Sequence, residues 1–127
     1  MTTAYVDTSY LISIEFLEKD TPNLSRQLNS FDVLVSSNLL EAEFLAVYAR
    51  ARRQPELANL DRVAWIYPDR PLSPEIRTVL TKVYVKGADC WHLANALYAA
   101  GEDRASVSFL TLDARQKTIA RALGFAD

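Results

Sequence analysis

The stretch Thr3-Ala-Tyr-Val-Asp7-Thr-Ser-Tyr-Leu-Ile-Ser-Ile14 decides the fold. Its first five residues form a short β-prone run that stops at an acid, and Thr8 and Ser9 are residues that cap a helix. Tyr10, Leu11, Ile14 and Leu17 then recur at spacings near 3.6. The pattern predicts a strand feeding a helix that frays at Lys19-Asp20, before Pro22 opens a second helix to about Ser30.

The same punctuation repeats downstream. Val33–Val35 is a buried-strand run, and Ser36, Ser37 and Asn38 supply caps for a long helix through about Arg53, interrupted by Pro55. Glu56 to Arg62 reads as one helical turn, and Val63–Tyr67 as a third strand closed by Pro68. Ser73-Pro74 opens a helix carrying Ile76, Val79, Leu80 and Val83, which Gly87 ends. Ala88–Ala100 is helical up to Gly101, Val107–Leu112 is a strand, and Asp113 opens a last helix closed by Gly124. Strands separated by helices imply a parallel sheet covered on both faces, an α/β sandwich built from βα units.

The 127 residues are one domain's worth, expected to span 1–127 around a single core. Half of them are apolar or aromatic and 24% are charged, the balance of a folded globular protein. No run approaches the length of a membrane span, and Asp7 interrupts any signal-like segment, so a cytoplasmic location without membrane contact is expected. Cys90, the single cysteine, can close no internal disulfide, in keeping with a reducing compartment. A net charge of −2 excludes a strongly basic nucleic-acid binder.

In open parallel sheets, ligands bind beyond the carboxyl ends of the strands. Asp7 and Asp113 follow strands, Asp89 opens a helix, and Glu41 and Glu43 lie in the first turns of another. Carboxylates brought together there repel one another, and a hard divalent cation such as Mg²⁺ or Mn²⁺ removes that penalty. A cation so held activates water and stabilises charge at a phosphodiester, which makes metal-dependent phosphoester hydrolysis the expected reaction. Plainer roles exist for each acid. Asp113 heads a D-x-x-Q capping box with Gln116, Asp89 suits a helix N-terminus, and Asp7 itself can cap. Glu41 and Glu43 flank an apolar stripe of Leu40, Phe44, Val47 and Ala51 on opposite sides, and the wheel does not separate them. Arg50, seven residues after Glu43, is placed to neutralise the site or meet a phosphate, or is a surface arginine.

The chain resembles the PIN-domain ribonucleases, and especially the VapC toxins of toxin–antitoxin pairs. The matching segments are Ala4-Tyr-Val-Asp7-Thr-Ser-Tyr-Leu11, Val35-Ser-Ser-Asn-Leu-Leu-Glu-Ala-Glu43-Phe-Leu45, Gly87-Ala-Asp89-Cys-Trp-His92-Leu-Ala94 and Phe109-Leu-Thr-Leu-Asp113, with Gly124-Phe125 at the end. The resemblance implies a three-layer α/β/α sandwich, Mg²⁺- or Mn²⁺-dependent endoribonuclease activity, an RNA substrate, a cognate antitoxin and a homodimer. It assigns Asp7, Glu43, Asp89 and Asp113 to the catalytic metal site, with Glu41 as fallback for Glu43, and sets Thr8, Ser9 and Thr111 beside it. His92, three residues after Asp89, can bond the site or a substrate phosphate, or be a packed structural histidine. Trp65 and Trp91 can stack on bases or belong to core or interface, and Arg50, Arg52 and Arg53 can track an RNA backbone or form a solvated helix end.

Three rival readings are weaker. A D-x-D phosphatase needs an acid where Ser9 stands, and a phosphoacceptor domain needs an acidic pair after the first strand. A PIN-like binding platform without catalysis ranks below the nuclease because all four acids are present. With those four set aside, twelve acidic residues face fourteen basic ones, a weakly basic remainder.

Overall fold

A computed structural model describes residues 1–16 and 20–127. Leu17 and Lys19, read above as helix face and helix end, lie outside the described residues. Four strands, β1 (Thr3–Val6), β2 (Val33–Ser37), β3 (Val63–Ile66) and β4 (Val107–Leu110), form a sheet in the order β3-β2-β1-β4. Every pairing is parallel, for example Tyr5 with Val35 and with Phe109. Between them run α1 (Thr8–Glu15), α2 (Thr21–Asn29), α3 (Leu39–Ala51), α4 (Ser73–Leu80) and α5 (Gly87–Ala100), with α6 (Ala114–Leu123) after β4.

Side-chain alternation along the strands separates two cores. Ala4 and Val6 of β1, Leu34 and Leu110 pack with Leu11 and Ile14 of α1, Leu28 of α2 and Phe44 of α3. Tyr5, Val107 and Phe109 point the other way, onto Val79 of α4, Leu93 and Leu97 of α5 and Ile119 of α6. The result is the expected three-layer α/β/α sandwich, α1–α3 on one face and α4–α6 on the other. No helix among the described residues is long and apolar enough to cross a membrane.

The strand order sets the place of the site. From β1 the chain moves outward through β2 to β3, then returns to add β4 on the other side of β1. Connections therefore diverge at the carboxyl ends of β1 and β4, the switch point where open α/β sheets leave a crevice. The outer edge of β4 is occupied by the chain itself. Phe109 N–H donates to the Ala126 carbonyl and Ala126 N–H to that of Val107, both at 3.0 Å, after Gly124 turns the backbone at φ 103°.

Several element boundaries differ from the sequence reading. Asp7, not Thr8 or Ser9, holds the N-cap position of α1, so both hydroxyls fall inside the first turn. Ser36 and Ser37 are strand residues; Ser36 Oγ donates to the Val6 carbonyl at 2.7 Å, tying β2 to β1, while Ser37 Oγ still accepts the Leu39 N–H at 3.1 Å although Asn38 holds the cap position of α3. The buried row of α3 is Leu40, Phe44 and Tyr48, with Val47 37% exposed, because the two aromatic rings pack at 5.1 Å and Tyr48 also meets Phe16. Helix α4 stops at Leu80 instead of reaching Gly87, which begins α5. The Val83-Tyr-Val85 run is poor in helix propensity, and it turns inward to bury Val85 while Val83 and Tyr84 stay exposed.

Candidate active site

Asp7 leaves the buried end of β1 at the switch point and is 5% exposed. A carboxylate there is costly unless hydrogen-bonded. Ser9 Oγ and Thr111 Oγ1 donate to its Oδ2, at 2.9 and 2.7 Å. Each hydroxyl is oriented from behind, since Ser9 Oγ accepts the Leu112 N–H and Thr111 Oγ1 the Asp113 N–H, both at 3.1 Å. The loop after β4 is thus folded over Asp7 by two hydroxyl bridges. Oδ1 of Asp7 has no hydrogen-bond donor among the described residues; its nearest basic neighbour is His92 Nε2 at 3.9 Å.

Glu43 lies in the second turn of α3 and reaches across the sheet's carboxyl edge. Its Oε1 accepts from Thr8 Oγ1 and bonds His92 Nε2, each at 2.7 Å. The His92 bond, then the Thr8 bond, hold its carboxyl below the ordinary glutamate range against the opposing effect of burial. Glu41 has no part in this group; it accepts from Asn38 Nδ2 at 3.2 Å in an exposed contact. Of the two glutamates that the helical wheel left equivalent, the one in the site is Glu43.

Asp89 sits in the first turn of α5 and is half-buried. Burial first, then the charges of Asp7, Asp113 and Glu43, push its carboxyl up, with His92 opposing. The four acids therefore share one electrostatic neighbourhood, although they come from four segments. Asp113 is exposed and caps α6, accepting the Arg115 and Gln116 N–H groups on Oδ1 at 2.8 and 3.0 Å. The capping box is one-sided, because the Gln116 side chain instead donates to the Asp89 carbonyl at 3.3 Å. Gln116 is buried and joins the two aspartate-bearing segments, a role its place in D-x-x-Q concealed.

Among the described residues, no three His, Cys, Asp or Glu side chains stand close enough to form a finished cation cage. The donor chemistry nevertheless fits a hard divalent ion. It is all oxygen, Asp7 Oδ1 is unclaimed, and the burial and neighbouring negative charge that raise Asp89 are what a bound cation offsets.

Residues expected around the acids fall into two groups. Thr8, Ser9 and Thr111 touch the carboxylates, as described. His92 is 1% exposed with both ring nitrogens engaged, so it bonds the site and is closed to a substrate phosphate. Arg50 is exposed in the last turn of α3, a turn and more beyond Glu43. Arg53 stacks on Phe16 at 4.5 Å, which removes it from a free basic cluster. Trp65 packs on the core of the α1–α3 face, and Trp91 lines a separate apolar groove of about 370 Å³ with Ile76, Leu80 and Tyr84. Cys90 is buried beneath it, its thiol pushed up by burial. Sequence reasoning missed Tyr5, whose hydroxyl lies 2.7 Å from His92 Nδ1. The signal was available, since a buried tyrosine in a strand needs a partner that phenylalanine does not.

No curated protein matches the chain. The PIN domain family matches residues 4–122, nearly the whole length. Its members are generally nucleases and typically use divalent metals, which agrees with carboxylate oxygens placed at the switch point of the sheet. By that match and by its α/β/α architecture, the chain belongs to the PIN domain family.

Proposed function

We propose that the protein is a divalent-metal-dependent endoribonuclease whose metal site comprises Asp7, Glu43, Asp89 and Asp113. The observation that carries this reading is Asp7, buried at the switch point with one oxygen anchored by two hydroxyls and the other unclaimed, beside Asp89, whose carboxyl is raised by burial and then by the charges of Asp7, Asp113 and Glu43. Mg²⁺ or Mn²⁺ bound there supplies charge stabilisation and water activation at a phosphodiester. Ser9 and Thr111 hold Asp7 in place, Thr8 and His92 hold Glu43, and Gln116 ties Asp89 to the α6 N-terminus.

The substrate is RNA, and with a nearly neutral surface its selection rests on shape and metal contact more than on a basic footprint. Within this reading the protein is a cytoplasmic VapC-type toxin, a homodimer held in check by an antitoxin. Arg50, exposed in the last turn of α3, would meet the substrate's phosphates in this reading.

Purified protein on a structured RNA, with Mg²⁺, Mn²⁺ or chelator, tests the proposal. Cleavage is expected only with metal, and Asp7→Asn should lose roughly 100-fold or more, the equivalent of several kcal/mol of charge stabilisation. Equal cleavage by wild type and Asp7→Asn would sink the assignment. Growth arrest on expression without an antitoxin tests the toxin role separately.

A further inference from the structure

His92 is the chain's single histidine, buried in α5; Nδ1 meets the Tyr5 hydroxyl, and Nε2 meets Glu43 Oε1 at 2.7 Å with Thr8 Oγ1, whose own proton goes to Glu43, farther off at 3.3 Å. The proton positions follow from those partners. Ser37 N–H donates to the Tyr5 hydroxyl oxygen at 3.1 Å, so that oxygen directs its own proton to the acceptor 2.7 Å away, His92 Nδ1. An accepting Nδ1 places the neutral ring's proton on Nε2, where the Glu43 carboxylate takes it at 2.7 Å. A backbone amide of β2 thereby selects one tautomer of a histidine on α5, which in turn holds a glutamate on α3.

Packing does not explain this chain of polar groups. Tyr5 is fully buried with its ring stacked on Phe109 at 5.2 Å, a contact that phenylalanine would make equally well. The hydroxyl and the imidazole carry desolvation costs that apolar side chains of similar size would avoid. Neither residue reaches solvent, so neither can touch a substrate. Their shared outlet is Glu43 Oε1, which also receives Thr8, while Oε2 takes no hydrogen bond among the described residues.

We infer that Tyr5 and His92 are positioning residues, an oriented relay that anchors one oxygen of Glu43 so that the other is presented to a divalent cation. This rests on the metal-dependent reading above.

The lone histidine makes the test direct. Long-range proton–nitrogen NMR of His-labelled protein should show the Nε2–H tautomer in the wild type. Tyr5→Phe keeps the stacked ring, should mix the two tautomers, and should weaken Mn²⁺ binding by calorimetry about tenfold, the usual loss when support behind a ligand is removed. His92→Leu should lose at least as much, and His92→Gln, which offers an amide N–H toward Glu43, should restore most of it. Amide spectra check that each variant is folded. An Nδ1–H tautomer in the wild type, or wild-type Mn²⁺ affinity in both Tyr5→Phe and His92→Leu, would overturn the inference. Wild-type protein that takes up no Mn²⁺ overturns the metal reading and this inference with it, an outcome identified before any variant is compared.

Discussion

Glu43 and His92 belong to helices on opposite faces of the sheet, yet Glu43 Oε1 lies 2.7 Å from His92 Nε2. The bond passes over the carboxyl ends of the strands, where the two helix layers meet without β-structure between them. Asp7, at the end of β1, sits beneath it. Acids from both layers are thus gathered at one edge, and the hydrogen bonds that gather them give separable experimental signatures.

The hydroxyls on Asp7 should act as a unit. Thr111→Val leaves Asp7 Oδ2 and the Asp113 N–H each one partner short, and should cost about 1–3 kcal/mol in urea unfolding. Ser9→Ala should behave similarly through the Leu112 N–H. Because both donors share one oxygen, a double-mutant cycle should show coupling of about 0.5 kcal/mol or more, where independent sites would add.

Asp89 carries the cost of burial first and of its neighbours' charge second. Its folded-state carboxyl is raised, so ionising it opposes folding: the favourable contribution is present below the ordinary aspartate range and is lost as pH rises through the raised value. Asp89→Asn should therefore stabilise the metal-free protein at neutral pH by a modest, solvent-screened amount of roughly 0.2–1 kcal/mol. The same variant should lose most of the thermal stabilisation that Mg²⁺ gives the wild type, which scanning calorimetry with and without the ion would reveal.

Asp113 serves two roles that two substitutions separate. Asp113→Ala removes the cap of α6 and should lower stability by about 1 kcal/mol. Asp113→Asn keeps an oxygen for the Arg115 and Gln116 N–H groups, so stability should hold within a few tenths of a kcal/mol. Mn²⁺ affinity should fall in both. Affinity unchanged in the asparagine variant would return Asp113 to a purely structural cap.

Glu43 should contribute to the acid limb of stability. Its folded-state carboxyl is lowered by the His92 bond, so its contribution is present above the ordinary glutamate value of 4.5 and is lost as pH falls through the depressed one. In a pH series of melting temperatures, Glu43→Gln should lie below wild type near neutrality, by about 0.5 kcal/mol because Glu43 itself is partly exposed and screened, and converge with it in acid.

The sheet and most of its helices were legible because local signals agreed with the final packing. The short β-prone run that stops at Asp7 marks β1, and Gly101 and Gly124 end helices where the backbone turns to positive φ. Placing acids at strand ends and helix starts singled out Asp7, Asp89 and Asp113, whose charges reach Asp89 together with that of Glu43, but it did not separate Glu43 from Glu41. Other features depend on tertiary partners that no local pattern shows. Ser36 and Ser37 read only as caps until β3 pairs with them and makes them strand residues, and Val83 continued a helical period until Val85 proved to be the residue that buries. Tyr5 and Gln116 looked like core and cap because the groups that use their polar atoms lie 87 and 27 positions away.

The segment that follows Gly124 has a consequence for association. By pairing along β4, it leaves β3 as the open edge of the sheet among the described residues. That strand is four residues long and is followed within two positions by Pro68, which has no N–H to offer an added strand. One side of the sheet is sealed by the chain's own tail and the other is curtailed, so strand-by-strand growth into fibrils finds little purchase.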